Sequence, residues 1–435
     1  MATKRISELP AVAAIVGDEL LEVTSAGPTS KKLDIGLLYD SIAPDTLAFI
    51  DRTGATDVGP AIQAIINASG ADVTLYFPPG EYLIDTQVTI ITKARIKIYG
   101  DNAHIKIGPT LMGDNGLIRI QDVQSIDIRG LEFHYELNSN ICGAINMIYC
   151  TGCVRIDSCR FLEFQNLSQY GIRARSINNI NGSPTSNDNA GAIYSNLQFS
   201  VADPLNSDLD FDYANAWQRG YGINVQDNAE YFTIIGCHFF GLTCGVWLTN
   251  APNGMILGCE FQQMNGYSGL ATKRAGIYED SAVAANNGKL SITGCKFNHG
   301  WYYSILDSSP DGDRPYSISN CQFIANSFDQ IGFSYAGTKS GLHSITNCFF
   351  QRCYNYLGLA SWPHGVAARQ FIVANRCTRV SVQGNIFDDN TAGAIIVTLN
   401  TSDYWFVINN LYRNIFAGPF TLVGANNQVV TNYLM

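Results

Sequence analysis

From Tyr231 to Leu248 the chain reads YFTIIGCHFFGLTCGVWL, with apolar and polar positions alternating in short runs that break at Gly236 and Gly245. Alternation at period two places one face of a strand in a core. Glycines between such short runs predict sharp corners. Strand, corner, strand, corner, strand is one coil of a solenoid. For one coil the pattern predicts strands at 222–225, 231–235 and 237–239. The same sentence recurs along the chain: an apolar residue, a spacer, an aliphatic, a spacer, a turn residue, Cys or a substitute, a spacer, an aromatic. It closes at Phe133, Phe161, Phe199, Phe239, Phe261, Phe297, Phe323, Phe350, Phe387 and Tyr412. Successive closures lie 22 to 28 residues apart, apart from four steps of 36 to 40. Such spacing belongs to solenoids. The short steps fit a bare coil, and the long steps fit a coil with an insertion in one corner.

Composition agrees with this pattern. The chain has 435 residues, only 15% of them charged, with 40 Gly, 22 Phe and 22 Tyr. Low charge with many aromatics and glycines suits a β-rich fold with tight corners, and a solenoid of this length is permitted because each coil packs only on its neighbours. The net charge of −10 argues against nucleic acid as a partner, since phosphate binding needs clustered Lys and Arg. No apolar run is long enough to cross a bilayer, and MATKRISELP has no apolar stretch behind its basic residues to make a signal peptide. Six of the 12 cysteines, Cys159, Cys237, Cys259, Cys295, Cys321 and Cys348, fall two positions before the closing aromatic. That spacing points them inward with it, so they are expected to be free buried thiols. A disulfide framework or a zinc knuckle fits the spacing less well.

Residues 1–40 break from the repeat and read as a separate small module of short strands and turns. Residues 41–92 lead in: DRTGATDVGPAIQAIINAS carries a short helix with Thr56 or Asp57 at its start, Pro60 in its first turn and Ile62, Ile65 and Ile66 on one face. TLYFPPGEYLI follows as strand, turn, strand. Coils then run over 93–412, with the longest loops at about 163–222, and 413–435 leaves room for one more coil and a cap. The helix followed by YFPPGEY, with the GCxF corners downstream, resembles the opening of pectate-lyase-like right-handed parallel β-helix proteins. The SELP module in front resembles the virion-attachment region of bacteriophage tailspikes and tail fibres. The expected fold is therefore all-β, a right-handed parallel β-helix capped by a short N-terminal helix behind a small attachment module. The resemblance is specific for fold and not for activity.

Candidate chemistry comes from aligning the strands GINVQD, GVWLTN, GIYEDS and SILDSS. One slot holds Val225, Leu248, Glu279 and Asp307 in successive coils. Glu279 and Asp307 would stack about 4.8 Å apart, with Asp280 on the opposite face. A one-residue slip would exchange Glu279 and Asp280. A close carboxylate pair repels, so one member should keep its proton near neutrality, as the acid of a glycoside hydrolase does. Neutralising either member should then relieve the repulsion. Strand-end acids bonded to solvent or backbone are the plainer alternative. Asp311, Asp313 and Arg314 lie close by in sequence, as do Lys273 and Arg274, which keep β-elimination of a uronic acid open. In the long loop, Asp203, Asp208, Asp210 and Asp212 stand beside Tyr213 and Trp217. Acceptors next to flat rings suit sugar binding, although such aromatics also pack onto a solenoid as ordinary loop anchors. No metal or cofactor is expected, since DGD lacks the remaining spacing of a calcium loop.

The tailspike resemblance implies a homotrimer on the virion tail, joined to a tail or baseplate protein through residues 1–40. It implies binding to a bacterial surface polysaccharide, capsule or O-antigen, hydrolysis of it, and no membrane insertion. A non-enzymatic receptor-binding spike and a polysaccharide lyase are the alternatives.

Overall fold

The computed structural model describes residues 47, 50–113, 116–135, 140, 142–165, 169–175, 191–201, 220–227, 229, 231–251, 253–262, 275–280, 288–298, 303–309, 314–324, 330–339, 342–351, 371–388, 396–399, 403–413, 420–423, 426–430 and 432–434, with the strand backbones at 20–23 and 31–34. The chain divides into two compact units, Met1–Phe49 and Ile50–Met435. In the first, Leu20–Val23 pairs antiparallel with Lys31–Asp34.

The second unit is a parallel β-helix with three walls. One wall is a 12-stranded parallel sheet that starts at Val88–Ile91 and ends at Phe420–Thr421. The coil read from sequence is present, with strands Tyr221–Gln226, Phe232–Ile235 and His238–Phe240. Coils pair in strict register: Phe239 lies against Phe261, Phe261 against Phe297, and Phe297 against Phe323. Each ring therefore sits over the next. From Phe133 to Tyr412 the centroids are 4.7 to 5.5 Å apart with planes within 12° of parallel.

The corner before the Cys slot turns through one left-handed residue. Asn196, Gly236, Gly258, Gly294, Asn320, Asn347 and Gly384 all have φ between 53° and 66° there. Gly and Asn tolerate that conformation best, which explains why the turn slot mostly holds one of those two types, with Ser158 at φ 52° the exception before Cys159. The cysteines that follow are buried, and the eleven described cysteines are all free thiols. Burial pushes the Cys159 thiol up to about 12, so it stays protonated and inert.

The helix Gly59–Ala68 buries Ile62 and Ile66 and leaves Ile65 half-buried. Its cap position is Val58, not the expected Thr56 or Asp57. Asp57 still serves the helix start, because its Oδ1 accepts the Gly59 N–H at 2.9 Å. The Thr56 hydroxyl instead donates to Asp51 Oδ2 at 2.8 Å. After the coil that ends at Leu411–Arg413, one further coil forms at Phe420–Thr421, Gln428–Val430 and Tyr433–Leu434.

Candidate functional site

Glu279 ends the strand Ala275–Glu279 and Asp307 ends Tyr303–Asp307, its neighbour in the 12-stranded wall. The two residues are register partners. Val225, Leu248, Glu279 and Asp307 do share one inward slot. The carboxylates consequently project into the lumen, where Glu279 is 2% and Asp307 1% exposed.

Within the lumen they are held by residues from two other strands and the corners between. Arg314 Nη1 donates to Glu279 Oε1 at 3.0 Å, an ion pair with both side chains 3% exposed. The Tyr316 hydroxyl donates a short hydrogen bond to Glu279 Oε2. Asp307 accepts the Ser309 N–H on Oδ1 at 3.0 Å and the Tyr335 hydroxyl on Oδ2 at 2.8 Å. Tyr335 Oη also lies 3.1 Å from His343 Nε2, and the Tyr316 N–H donates to His343 Nδ1 at 3.2 Å. These bonds fix the tautomer. Nδ1 is an acceptor, so Nε2 carries the proton and donates to Tyr335, whose own proton goes to Asp307. A second proton on His343 would face the Tyr316 N–H, and burial pushes its pKa down to about 3. Burial, and then the charge of Glu279, push Asp307 up to about 7. Asp307 is thus the member of the pair that holds its proton, as the pair repulsion requires.

Asp280 faces elsewhere. Its Oδ1 accepts Trp247 Nε1 at 2.9 Å and Thr249 Oγ1 at 2.6 Å, tying one coil to the previous one. The expected substrate contacts Trp217, Tyr213, Asp210, Asp212, Lys273, Arg274, Asp311 and Asp313 lie outside the described residues. Arg314 is described, and it is committed to Glu279.

Sequence reading missed Tyr316 and His343, because they stand in inward slots that neighbouring coils fill with Leu290 and Val380, and it missed Tyr335, which lies where the strand register shifts. The signal was His343 aligning with Val380 and Trp405. It also missed an outward groove on three consecutive coils, lined by Leu342, Ser344, Arg379, Ser381, Tyr404 and Phe406. Ser344, Ser381 and Phe406 are register partners on its floor. Leu342, Arg379 and Tyr404 occupy the corner before each strand. Leu342 is 66% and Tyr404 45% exposed. Among the described residues, the grouping able to hold a metal ion is His104, Glu132 and His134, in the first coils.

A parallel β-helix capped by a short N-terminal helix is the fold of pectate-lyase-like proteins. The chain belongs to the family described as rhamnogalacturonase A/epimerase, pectate lyase-like, which matches residues 50–271. Residues 221–434 match the description right-handed beta helix region. No curated protein sequence matches the chain. Among solved structures, the A-module of a mannuronan C-5 epimerase from Azotobacter vinelandii is similar at TM-score 0.57 and 13% identity, over 87% of this chain and 97% of that one. Tailspike protein 3 of bacteriophage CBA120 is similar at TM-score 0.52 and 12% identity, over 96% of this chain and 63% of that one. At such identities the likeness is one of fold. No helix among the described residues is long and apolar enough to cross a membrane.

Proposed function

We propose that this protein is a bacteriophage tail spike that binds a bacterial surface polysaccharide along the outside of its β-helix. The supporting observation is the groove at Leu342, Arg379 and Tyr404. A polymer laid along the helix axis meets one coil about every 4.8 Å, so a sugar chain can contact all three coils at once. Tyr404 and Phe406 offer ring faces to the apolar side of a sugar. Arg379 offers a planar donor set for hydroxyls or a uronic carboxylate, and Ser344 and Ser381 offer hydroxyls. Membership of a family named for polysaccharide-active enzymes, and a tailspike among similar folds, support this choice of occupant. In this reading the spike is a homotrimer attached to the virion through residues 1–40 and works at the host surface.

Depolymerisation by Glu279 and Asp307 is the second reading. The observation in its favour is the split pair itself, with Asp307 raised to about 7. Its difficulty is access, since a sugar cannot reach carboxylates 1–2% exposed in a packed lumen. Binding without cleavage at this pair therefore takes precedence.

The test is a glycan array of capsules and O-antigens with the wild-type chain, Arg379→Asn and Tyr404→Asn. Asn suits the left-handed backbone that both residues adopt, at φ 59°. One polysaccharide should bind, and each variant should weaken it by about tenfold, the scale of one ring contact or charged hydrogen bond. Equal binding by all three proteins would remove the groove from the reading. Release of reducing ends by wild type, abolished in Asp307→Asn, would restore the hydrolase.

A further inference from the structure

The geometry points to a transition-metal site on the outer wall of the first coils, formed by His104, Glu132 and His134 and taking Zn²⁺ or a similar divalent ion. His104 and Glu132 are register partners on adjacent coils, and His134 follows Glu132 by two, on the same face. His104 Nε2 lies 3.5 Å from Glu132 Oε2, and His134 Nε2 lies 3.4 Å from the same oxygen. Two ligands on a tetrahedral zinc at about 2.1 Å stand about 3.4 Å apart. Both measured edges therefore fit one ion, and the three ligand atoms all lie within 4.8 Å of one another.

The surroundings orient these atoms toward a shared centre. His134 Nε2 is buried and, apart from its 3.4 Å approach to Glu132 Oε2, makes no hydrogen bond. Its other nitrogen, Nδ1, lies 3.2 Å from Glu163 Oε2. A carboxylate on Nδ1 places the ring proton there and leaves the Nε2 lone pair for a metal. Glu163 reaches this position from a bulge, where the pairing register shifts between Leu162 and Phe164 and Glu163 holds φ at 66°. Bulges re-aim side chains in this way. Arg160 Nη1 donates to Glu132 Oε1 at 2.5 Å, which occupies the oxygen that the site does not use. The nearby Lys106 is paired with Glu81 at 2.7 Å. Three acids, Glu81, Glu132 and Glu163, thus face two bases, and the balance favours a cation. The His104 side chain is 43% exposed, which gives the ion an entry path and leaves its fourth position to solvent. Two imidazoles with one carboxylate select a borderline metal over Ca²⁺ or Mg²⁺. A bound ion would staple one coil to the next.

Isothermal titration of the full chain with Zn²⁺ in a non-chelating buffer tests this, with the visible absorption of bound Co²⁺ reporting coordination. We expect one ion per chain at micromolar affinity or tighter, and a rise in Tm with Zn²⁺. His104→Asn, at a half-buried position, should weaken binding at least tenfold and lose the Tm rise. Glu132→Gln, which keeps an oxygen for Arg160, should do the same should the first variant fold poorly. Cys153→Ser removes the exposed thiol among the described cysteines and should leave binding unchanged. No binding, equal binding by wild type and His104→Asn, or loss in Cys153→Ser alone would each overturn the site.

Discussion

Glu279 and Asp307 are stacked alike but differ in their partners, and so their substitutions should differ in how the loss depends on pH. Glu279 is ion-paired with buried Arg314. Glu279→Gln strands that guanidinium in the lumen, and losing one partner of a buried pair costs about 3–5 kcal/mol. Relief of repulsion, expected from the sequence for either acid, is therefore overturned at Glu279 by Arg314. Urea unfolding of Glu279→Gln at pH 7 should show the loss, and an unchanged midpoint would deny the ion pair its role. Asp307 behaves otherwise. It keeps its proton up to about pH 7 when folded and only to about 4 when unfolded. Folding takes up a proton in that window, so this group's contribution falls as pH rises from about 4 to about 7, by roughly 1.4 kcal/mol per pH unit at most. His343 works in the opposite direction. Its folded value is about 3 and its unfolded value about 6.5, so its contribution is present above about 6.5 and lost as pH falls toward 3. The two slopes nearly cancel between pH 4 and 6.5. Asp307→Asn removes one slope and exposes the other. Relative to wild type, that variant should lose stability steadily as pH drops from 7 to 4, and parallel profiles would refute the linkage. Sequence alone revealed the carboxylate slot and its split. It could not reveal Tyr316, Tyr335 and His343, because Tyr316 and His343 come from another wall and Tyr335 follows a shift in register on the same wall, so that only the folded register brings them together.

At the scale of the element, two ladders hold the coils in register, and only one was legible. The aromatic ladder announced itself through ten closures at regular intervals, and its rings stack as the slot requires. Phe261→Ala should cost about 3–5 kcal/mol, read as a fall in the urea midpoint. A loss under 1 kcal/mol would mean that the stack collapses around the gap. The second ladder replaces Cys with Asn. Asn385 Nδ2 donates to Ile345 O at 3.0 Å, Asn410 Nδ2 to Val382 O at 3.0 Å, and Asn432 Nδ2 to Val407 O at 3.1 Å. The thiols above them approach the corresponding carbonyls, as Cys295 does Ile256 at 3.5 Å. Asn385 and Asn410 are also bonded to each other at 3.0 Å. The sequence showed these as mere substitutes for Cys, since a carboxamide is polar and its burial makes sense only once its carbonyl partner is known. Asn410→Ala leaves the Asn385 N–H, bonded to Asn410 Oδ1 at 2.9 Å, without a partner. It should therefore cost about 1–3 kcal/mol, whereas Asn410→Cys should recover part of that loss. Equal stability of the two variants would show that the slot is filled by packing alone.

At the scale of the molecule, the sequence departs from its repeat over residues 1–40, and the structure divides into Met1–Phe49 and Ile50–Met435. The helix Gly59–Ala68 belongs to the second unit, and it covers the first coil from within that unit. Gln63 shows this directly, donating to the Thr89 carbonyl at 2.9 Å and accepting the Thr89 N–H at 2.7 Å. The first strand of the 12-stranded wall is thus capped from within the second unit. Removing residues 1–49 should therefore leave a chain that unfolds cooperatively, with a Tm within a few degrees of the full protein. Glycan binding should persist, because Leu342, Arg379 and Tyr404 lie in late coils. On the proposed tail-spike reading, attachment to virions should be lost, which a pull-down with phage tails lacking the spike would read. A truncated chain that unfolds or aggregates at once would make the first unit part of the solenoid's own stability. One that folds yet still joins the tail would move the attachment surface onto the β-helix.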